Sequence, residues 1–307
     1  MTATYITTTI PYVNARPHIG HALELVQADV LARYHRGRGD TVRFQAGTDD
    51  WPAMLLASGQ QLPTGIFVHD YLTAAGRKIS KSGAGSPAGG PGSFEPAALA
   101  AEYGADAVRW WLLREVPRVG DADFTVERLV ARADDELANG LGNRVVAMIC
   151  RYRAGRIPAA AGVPPGGEDL DAAIRHAGDR VGAALAGFDF RQATAAVWGI
   201  ADEANRFVNR VRPWDLARAD PAGRLDAVLY LLARACGAAG RELGPFLPDA
   251  AARVTAQCTP DGAGRLPDPR PVFRRLSAPA GLRVEQPQQD QQDQGADDPD
   301  RDETARP

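Results

Sequence analysis

Tyr5-Ile6-Thr7-Thr8-Thr9-Ile10-Pro11-Tyr12-Val13-Asn14-Ala15-Arg16-Pro17-His18-Ile19-Gly20-His21 passes from a Thr/Ile-rich segment, through a proline-bounded stretch, into an apolar repeat. Tyr5 to Ile10 has the composition of a buried strand. Neither Pro11 nor Pro17 can continue a helix or a central strand, so a loop lies between them. From Ile19 to Gly37, Ile19, Ala22, Leu23, Val26, Val30, Leu31 and Tyr34 fall at helical spacing. Gly39-Asp40 turns the chain, and Thr41 to Gln45 reads as a second strand running into Gly47-Thr48-Asp49-Asp50. Strand, loop, helix, strand is one half of a nucleotide-binding βαβ unit.

Beyond Asp50 the pattern predicts a short helix, Pro52 to Ser58, and a strand around Ile66 to Tyr71. A Gly/Pro/Ser stretch from Gly83 to Ser93 reads as flexible. The chain after Ser93 reads as helical: one helix over Glu95 to Val116 with Trp110, Trp111 and Leu113 on an apolar face, then Val126 to Arg153 behind a Thr125 N-cap. Further helices are expected over Leu170 to Ala186, Arg191 to Val211, Leu225 to Leu243 and Pro248 to Gln257. Beyond Leu276 the Gln/Asp/Pro composition cannot bury enough apolar surface, and disorder is expected. The expected fold class is therefore α/β plus all-α: a reduced Rossmann-like portion over residues 1–93, a helical bundle over 94–276, and a disordered acidic tail over 277–307.

Composition narrows the function classes. No apolar run approaches a membrane span, and the first ten residues lack the basic flank and apolar stretch of a secretory signal. Three well-separated cysteines, Cys150, Cys236 and Cys258, suit neither a disulfide scaffold nor a Cys-based zinc knuckle, and they fit a reducing cytosol. A cytoplasmic protein is expected. Net charge is −3 for 307 residues. The segment from Val284 to Pro307 carries eight acidic and two basic side chains, which leaves the body net positive and compatible with a polyanion partner. Of 35 basic residues only two are lysine, Lys78 and Lys81, and both lie in Lys78-Ile79-Ser80-Lys81-Ser82. A chain biased toward arginine that keeps ammonium groups in one pentapeptide points to chemistry that guanidinium does not perform there.

His18-Ile19-Gly20-His21 sits where the loop becomes a helix. Imidazoles at i and i+3 there can both donate to a phosphate at the helix N-terminus. Gly20 leaves room for a purine ring to lie flat against the backbone. Taken in order and in their surroundings, Ile10 to His21, Gly47-Thr48-Asp49-Asp50, Trp51 to Ala57, Val68 to Ser82, Glu102 to Arg109, Leu112 to Pro117, Leu137-Ala138-Asn139 to Gly142-Asn143 and Arg212-Pro213-Trp214 resemble the signatures of methionyl-tRNA synthetases, a class I aminoacyl-tRNA synthetase family. The resemblance spans about residues 4–276.

That resemblance implies an ATP-dependent ligase joining methionine, or a related amino acid, to AMP and then to tRNA. It implies a helical domain of the anticodon-binding type after the Rossmann-like portion. It places ATP, with Mg2+, against His18, Gly20, His21, Lys78, Ser80 and Lys81, of which His18, His21, Lys78 and Lys81 act in catalysis. It places the amino acid against Ile10, Tyr12 and Asp49, and tRNA against Asn143 and Trp214. No metal ligand, membrane or DNA partner is implied.

The chain also departs from the family pattern. Asp50 is followed directly by Trp51, where the family has a long stretch holding a connective insertion with zinc-binding cysteines, further strands and other methionine-pocket aromatics. No zinc is expected here, and selectivity resting on apolar complementarity is expected to be poor. Asp70 stands where the family usually has Gly, and Ala147 where it commonly has Arg, with Arg144 and Arg151 nearby. Two other readings stay open: an inactive synthetase paralogue serving as a tRNA- or protein-binding module, or a carboxylate-activating enzyme of specialised metabolism.

Overall fold

Ala3–Thr7 (β1), Ile19–Gly37 (α1) and Thr41–Gln45 (β2) make the expected unit: the two strands pair in parallel, Tyr5 opposite Arg43, with α1 as the crossover. This is a computed structural model, and it describes residues 2–9, 17–45, 67–74, 76–79, 94–138, 141–159, 162–219, 223–273 and 275–276. The expectations for Pro52 to Ser58, Gly83 to Ser93 and the tail beyond Leu276 lie outside the described residues. Helix α1 keeps the limits its periodicity predicts and buries Ile19, Leu23 and Val30. Strand β1 starts and ends earlier than expected. The Thr9 amide and hydroxyl both donate to the Glu24 carboxylate on α1, which takes them out of any ladder.

A second sheet combines Leu72–Ala74 (β3), Arg77–Lys78 (β4) and Ala122–Asp123 (β5) in the order β4-β3-β5. Strands β3 and β4 form an antiparallel hairpin pairing Thr73 with Lys78, while β3 and β5 are parallel. The strand expected around Ile66 to Tyr71 is thus displaced toward the C-terminus. Its position is set by β5, some fifty residues away: the Ala122 amide donates to Tyr71 O at 3.1 Å and the Phe124 amide to Thr73 O at 2.8 Å.

The single helix expected over Glu95 to Val116 is two, Pro96–Tyr103 (α2) and Ala105–Arg114 (α3). They meet at Gly104, whose φ of 90° breaks the helix at a conformation side chains resist. Helix α3 buries Trp110, Trp111, Leu112 and Leu113 completely, so it is an interior helix rather than one with a single apolar stripe. The stretch from Val126 to Arg153 divides as well. Thr125 caps Val126–Arg132 (α4), its hydroxyl accepting from the Arg128 amide at 3.2 Å as its sequence position predicts. A π-helical segment, Ala133–Ala138, comes next, and then Leu141–Arg153 (α5). The π-helical segment carries the buried Glu136, whose carboxylate accepts from Trp110 Nε1 at 2.7 Å and pairs with Arg114 at 3.2 Å and Arg132 at 3.0 Å.

The remaining helices are Glu168–Ala186 (α6), Phe190–Val211 (α7), Pro213–Ala219 (α8), Arg224–Leu243 (α9) and Pro248–Cys258 (α10). Four of them fall within a few residues of the limits expected from periodicity. Helix α8 is too short to announce itself that way. It begins where Arg212 turns left-handed at φ 51° and Pro213 supplies a preset first-turn geometry. Two apolar clusters hold the fold. One joins α1, β3, α3 and α4 to Val181 of α6, Ala193 and Val197 of α7, and Phe246 to Ala251. The other lies among α5, α6, α7 and α9. Residues 1–277 form one compact unit. Among the described residues, no helix is long and apolar enough to cross a membrane.

Candidate active site

The start of α1 is built by its own two histidines. His18, extended at φ −107°, is the N-cap, and its Nδ1 accepts from the Gly20 amide at 3.1 Å. His21 Nδ1 accepts in turn from the His18 amide at 3.2 Å, completing a capping box in which imidazoles replace the usual hydroxyl and carboxylate. The rings lie 3.9 Å apart, tilted by 42°. An Nδ1 that accepts carries no proton, so each neutral ring has its N–H on Nε2. The other first-turn amides are occupied: Ile19 N donates to Phe94 O at 2.9 Å, and His21 N and Ala22 N reach His18 O at 2.9 and 3.4 Å. The first-turn amides of α1 are thus committed within the chain, and the two imidazole rings stand at that helix end.

Gly20 has a steric reason within the chain itself. A Cβ there would stand 2.9 Å from His18 Cε1 and 3.0 Å from Nδ1, inside the space of the capping ring. Sequence alone assigns this glycine to a purine; a side chain would displace His18 first.

Lys78 is the second element. It lies on β4, with its Nζ 3.4 Å from the centre of the Tyr71 ring, a cation–π contact on an exposed face. The sequence does not single out Tyr71, because its segment reads as the strand rather than the lead-in to it. Once Thr73 is paired with Lys78, Tyr71 becomes the diagonal neighbour on the same face. Asp70, the departure from the family glycine, accepts from the Gly120 amide, and Asp121 accepts from the Tyr71 amide at 2.9 Å. These carboxylates fasten the loop before β5 to the lysine hairpin.

The two elements are joined through the interior. Phe94, whose carbonyl holds Ile19, packs edge-on against Phe124 at 5.9 Å, and Phe124 closes the sheet that carries Lys78. Arg109 braces α1 from the other side. Its largely buried guanidinium pairs with Asp29 at 2.8 Å and donates to Phe246 O at 2.7 Å and Pro245 O at 3.3 Å. Burial pulls its pKa down, and the Asp29 carboxylate opposes that.

Of the other expected site residues, Ile10, Tyr12, Asp49, Ser80 and Lys81 lie outside the described residues. Asn143 falls in the first turn of α5. Trp214, in the first turn of α8, is 38% exposed. Ala147 is exposed on α5, and Arg151, one turn further along, has its guanidinium 5.6 Å from the Tyr152 ring.

Among protein families, the model described as class I tRNA synthetases (M) matches residues 4–50 and 50–149, its two pieces meeting at residue 50. Methionine–tRNA ligase of Caldanaerobacter subterraneus subsp. tengcongensis is 35% identical over 222 residues, covering 71% of this chain and 33% of that protein. The Clostridium perfringens enzyme is 32% identical over 250 residues, covering 80% and 37%. The chain thus spans about a third of the length of these relatives. Among solved structures, apo methionyl-tRNA synthetase of Mycobacterium tuberculosis aligns with a TM-score of 0.63 at 27% identity, over 75% of this chain and 47% of that one. The same organism's enzyme in complex with methionyl-adenylate aligns with a TM-score of 0.80 at 18% identity, over 90% of this chain and 100% of that one, a likeness of fold.

Proposed function

The chain belongs to the methionyl-tRNA synthetase family of class I tRNA synthetases, and from that premise we propose that it activates methionine, or a related amino acid, with ATP and passes the aminoacyl group to tRNA. Residues 1–93 serve as the reduced catalytic portion, and residues 94–276 as the helical portion that contacts tRNA in the manner of an anticodon-binding domain. In the first step the amino acid carboxylate attacks the α-phosphorus of ATP and pyrophosphate leaves. Charge grows on phosphoryl oxygens, and fixed donors aimed at those oxygens lower the barrier. ATP enters as a substrate, with Mg2+ carried on its phosphates.

The observation that carries this reading is the double-histidine cap. Nδ1 of both rings is turned to the backbone, which puts the N–H of each neutral ring on Nε2, the atom assigned in this proposal to the phosphates. Gly20 keeps that end of the helix clear for the nucleotide. Lys78, with Lys81 and Ser80 beyond it, acts from the opposite side, and a compact ammonium can follow the departing pyrophosphate where a planar fork would not. Ile10 and Tyr12 wall the amino acid side chain, and Asp49 holds its ammonium. On the helical portion, Trp214 offers an exposed indole for stacking on a tRNA base, with Asn143 as a second contact.

Methionine-dependent ATP–pyrophosphate exchange tests the reading. Exchange above background is expected, with weak discrimination between methionine and other apolar amino acids. No exchange with any of the twenty amino acids overturns it. Lys81→Arg is expected to cut exchange at least tenfold, and an unaltered rate would remove the lysines from the mechanism.

A further inference from the structure

Away from this site, an open cleft of about 600 Å3 lies against the turn between α6 and α7. Its floor includes Ala184 and Ala195, and its polar rim is formed by Arg118, Arg180, Asp189 and Gln192. Arg118 comes from the loop before β5 and Arg180 from α6. Both are exposed, and neither guanidinium has an ion-pair or hydrogen-bond partner among the described residues. Asp189 is the acidic member of the rim. Its carboxylate caps α7, accepting from the Gln192 amide at 2.8 Å, and its charge is set against the positive end of that helix.

The cleft is tied to the lysine hairpin. Phe188, held left-handed at φ 56°, stacks on Phe67 with ring centres 4.9 Å apart and planes 6° apart. Phe67 leads into residues 68–71 and so to Tyr71, over which Lys78 sits. The loop bearing Arg118 is fastened to the same segment by Asp70 and Asp121. Three cations, Arg118, Arg180 and Lys78, therefore belong to one braced set of elements, with an apolar floor beneath two of them. Two unpaired planar guanidinium groups suit phosphate oxygens bidentately. A small-residue floor accepts the face of a base, and the Gln192 side-chain carboxamide can bond its edge.

We propose that this cleft holds one nucleotide step of the tRNA, with the phosphate between Arg118 and Arg180 and the base on the alanine floor. The proposal rests on the tRNA-binding part of the reading above. The test is binding of an unmodified methionine tRNA transcript to the full chain at several salt concentrations. It compares wild type, Arg118→Gln, Arg180→Gln, the double variant, and Trp214→Ala, with thermal melts to establish that each is folded.

The expected result is a double variant bound about tenfold more weakly at low salt, with a slope of log K against log salt reduced by about 0.7 for each lost phosphate contact. An unchanged slope in a folded double variant, with Trp214→Ala still weakened, overturns the proposal and leaves tRNA binding standing. A wild type with no salt-dependent tRNA binding overturns both. Titration with AMP separates the sources of this ligand chemistry: AMP binding lost in the double variant, with the tRNA slope unchanged, assigns the cleft to a free nucleotide and overturns the tRNA assignment.

Discussion

One methyl group on Gly20 would enter the space of the His18 ring, and the consequence can be separated from catalysis. Gly20→Ala is expected to swing the ring off the Gly20 amide and remove the cap, costing about 1 kcal/mol in urea denaturation. If the ring also serves ATP, the KM for ATP in exchange should rise well beyond what that loss of stability explains; an ATP KM equal to wild type would confine the histidines to capping. The motif around Gly20 is plain in the sequence, but its geometry is not. Spacing reveals that two imidazoles share a helix end. It does not reveal that each turns Nδ1 inward, because that depends on which first-turn amides are already claimed, and one of them is claimed by Phe94 from a distant segment. Tyr71 escapes sequence reading for a related reason: its role under Lys78 exists only in the register of a very short hairpin.

Long helices are legible in the sequence and short elements are not. Helices α1, α6, α7, α9 and α10 declare themselves through a repeat sustained over three or more turns. Strands β3, β4 and β5 have two or three residues each, too few for alternation, and β3 takes its place from β5 across some fifty residues. The π-helical segment is likewise invisible to a 3.6-residue template. Its Glu136 accepts from Trp110 and pairs with two arginines, so Glu136→Ala strands buried donors and is expected to cost about 3 kcal/mol, read as a lowered denaturation midpoint. Between α6 and α9 the joint is Asp171, bonded to Arg175 at 2.9 Å on its own helix and to Arg234 at 2.9 Å across it. The hydrogen bond from Arg175, then that from Arg234, holds its carboxyl below the usual carboxylate range. A depressed folded pKa stabilises at pH values above the unfolded pKa, and that contribution is lost as pH falls through the folded value. Asp171→Asn should therefore lower stability at neutral pH and flatten the decline in stability below about pH 4. A decline as steep as that of wild type would remove Asp171 from the acid response.

Arg109 decides how far the molecule behaves as a unit. It reaches from α3 to Asp29 on α1 and to the carbonyls of Pro245 and Phe246 between α9 and α10. Arg109→Ala leaves a buried acceptor set without its donor and is expected to cost about 3 kcal/mol or more. The loss should appear in one transition tracked equally by tryptophan fluorescence and far-ultraviolet circular dichroism; two separated transitions would mean that the β1-α1-β2 unit melts alone. The shared apolar cluster says the same, since Ile19, Leu23 and Val30 are covered together with Val181, Ala193 and Phe246. That arrangement has a cost in time during synthesis. A ribosome adding about 5–20 residues each second needs roughly 10 to 40 s to travel from the end of α1 to Phe246. Strand β2 and helix α3 pack on α1 well within that interval, but the apolar cluster they share is complete only when Phe246 to Ala251 arrive, so the first helix of the fold waits for nearly the whole described chain before its core is closed.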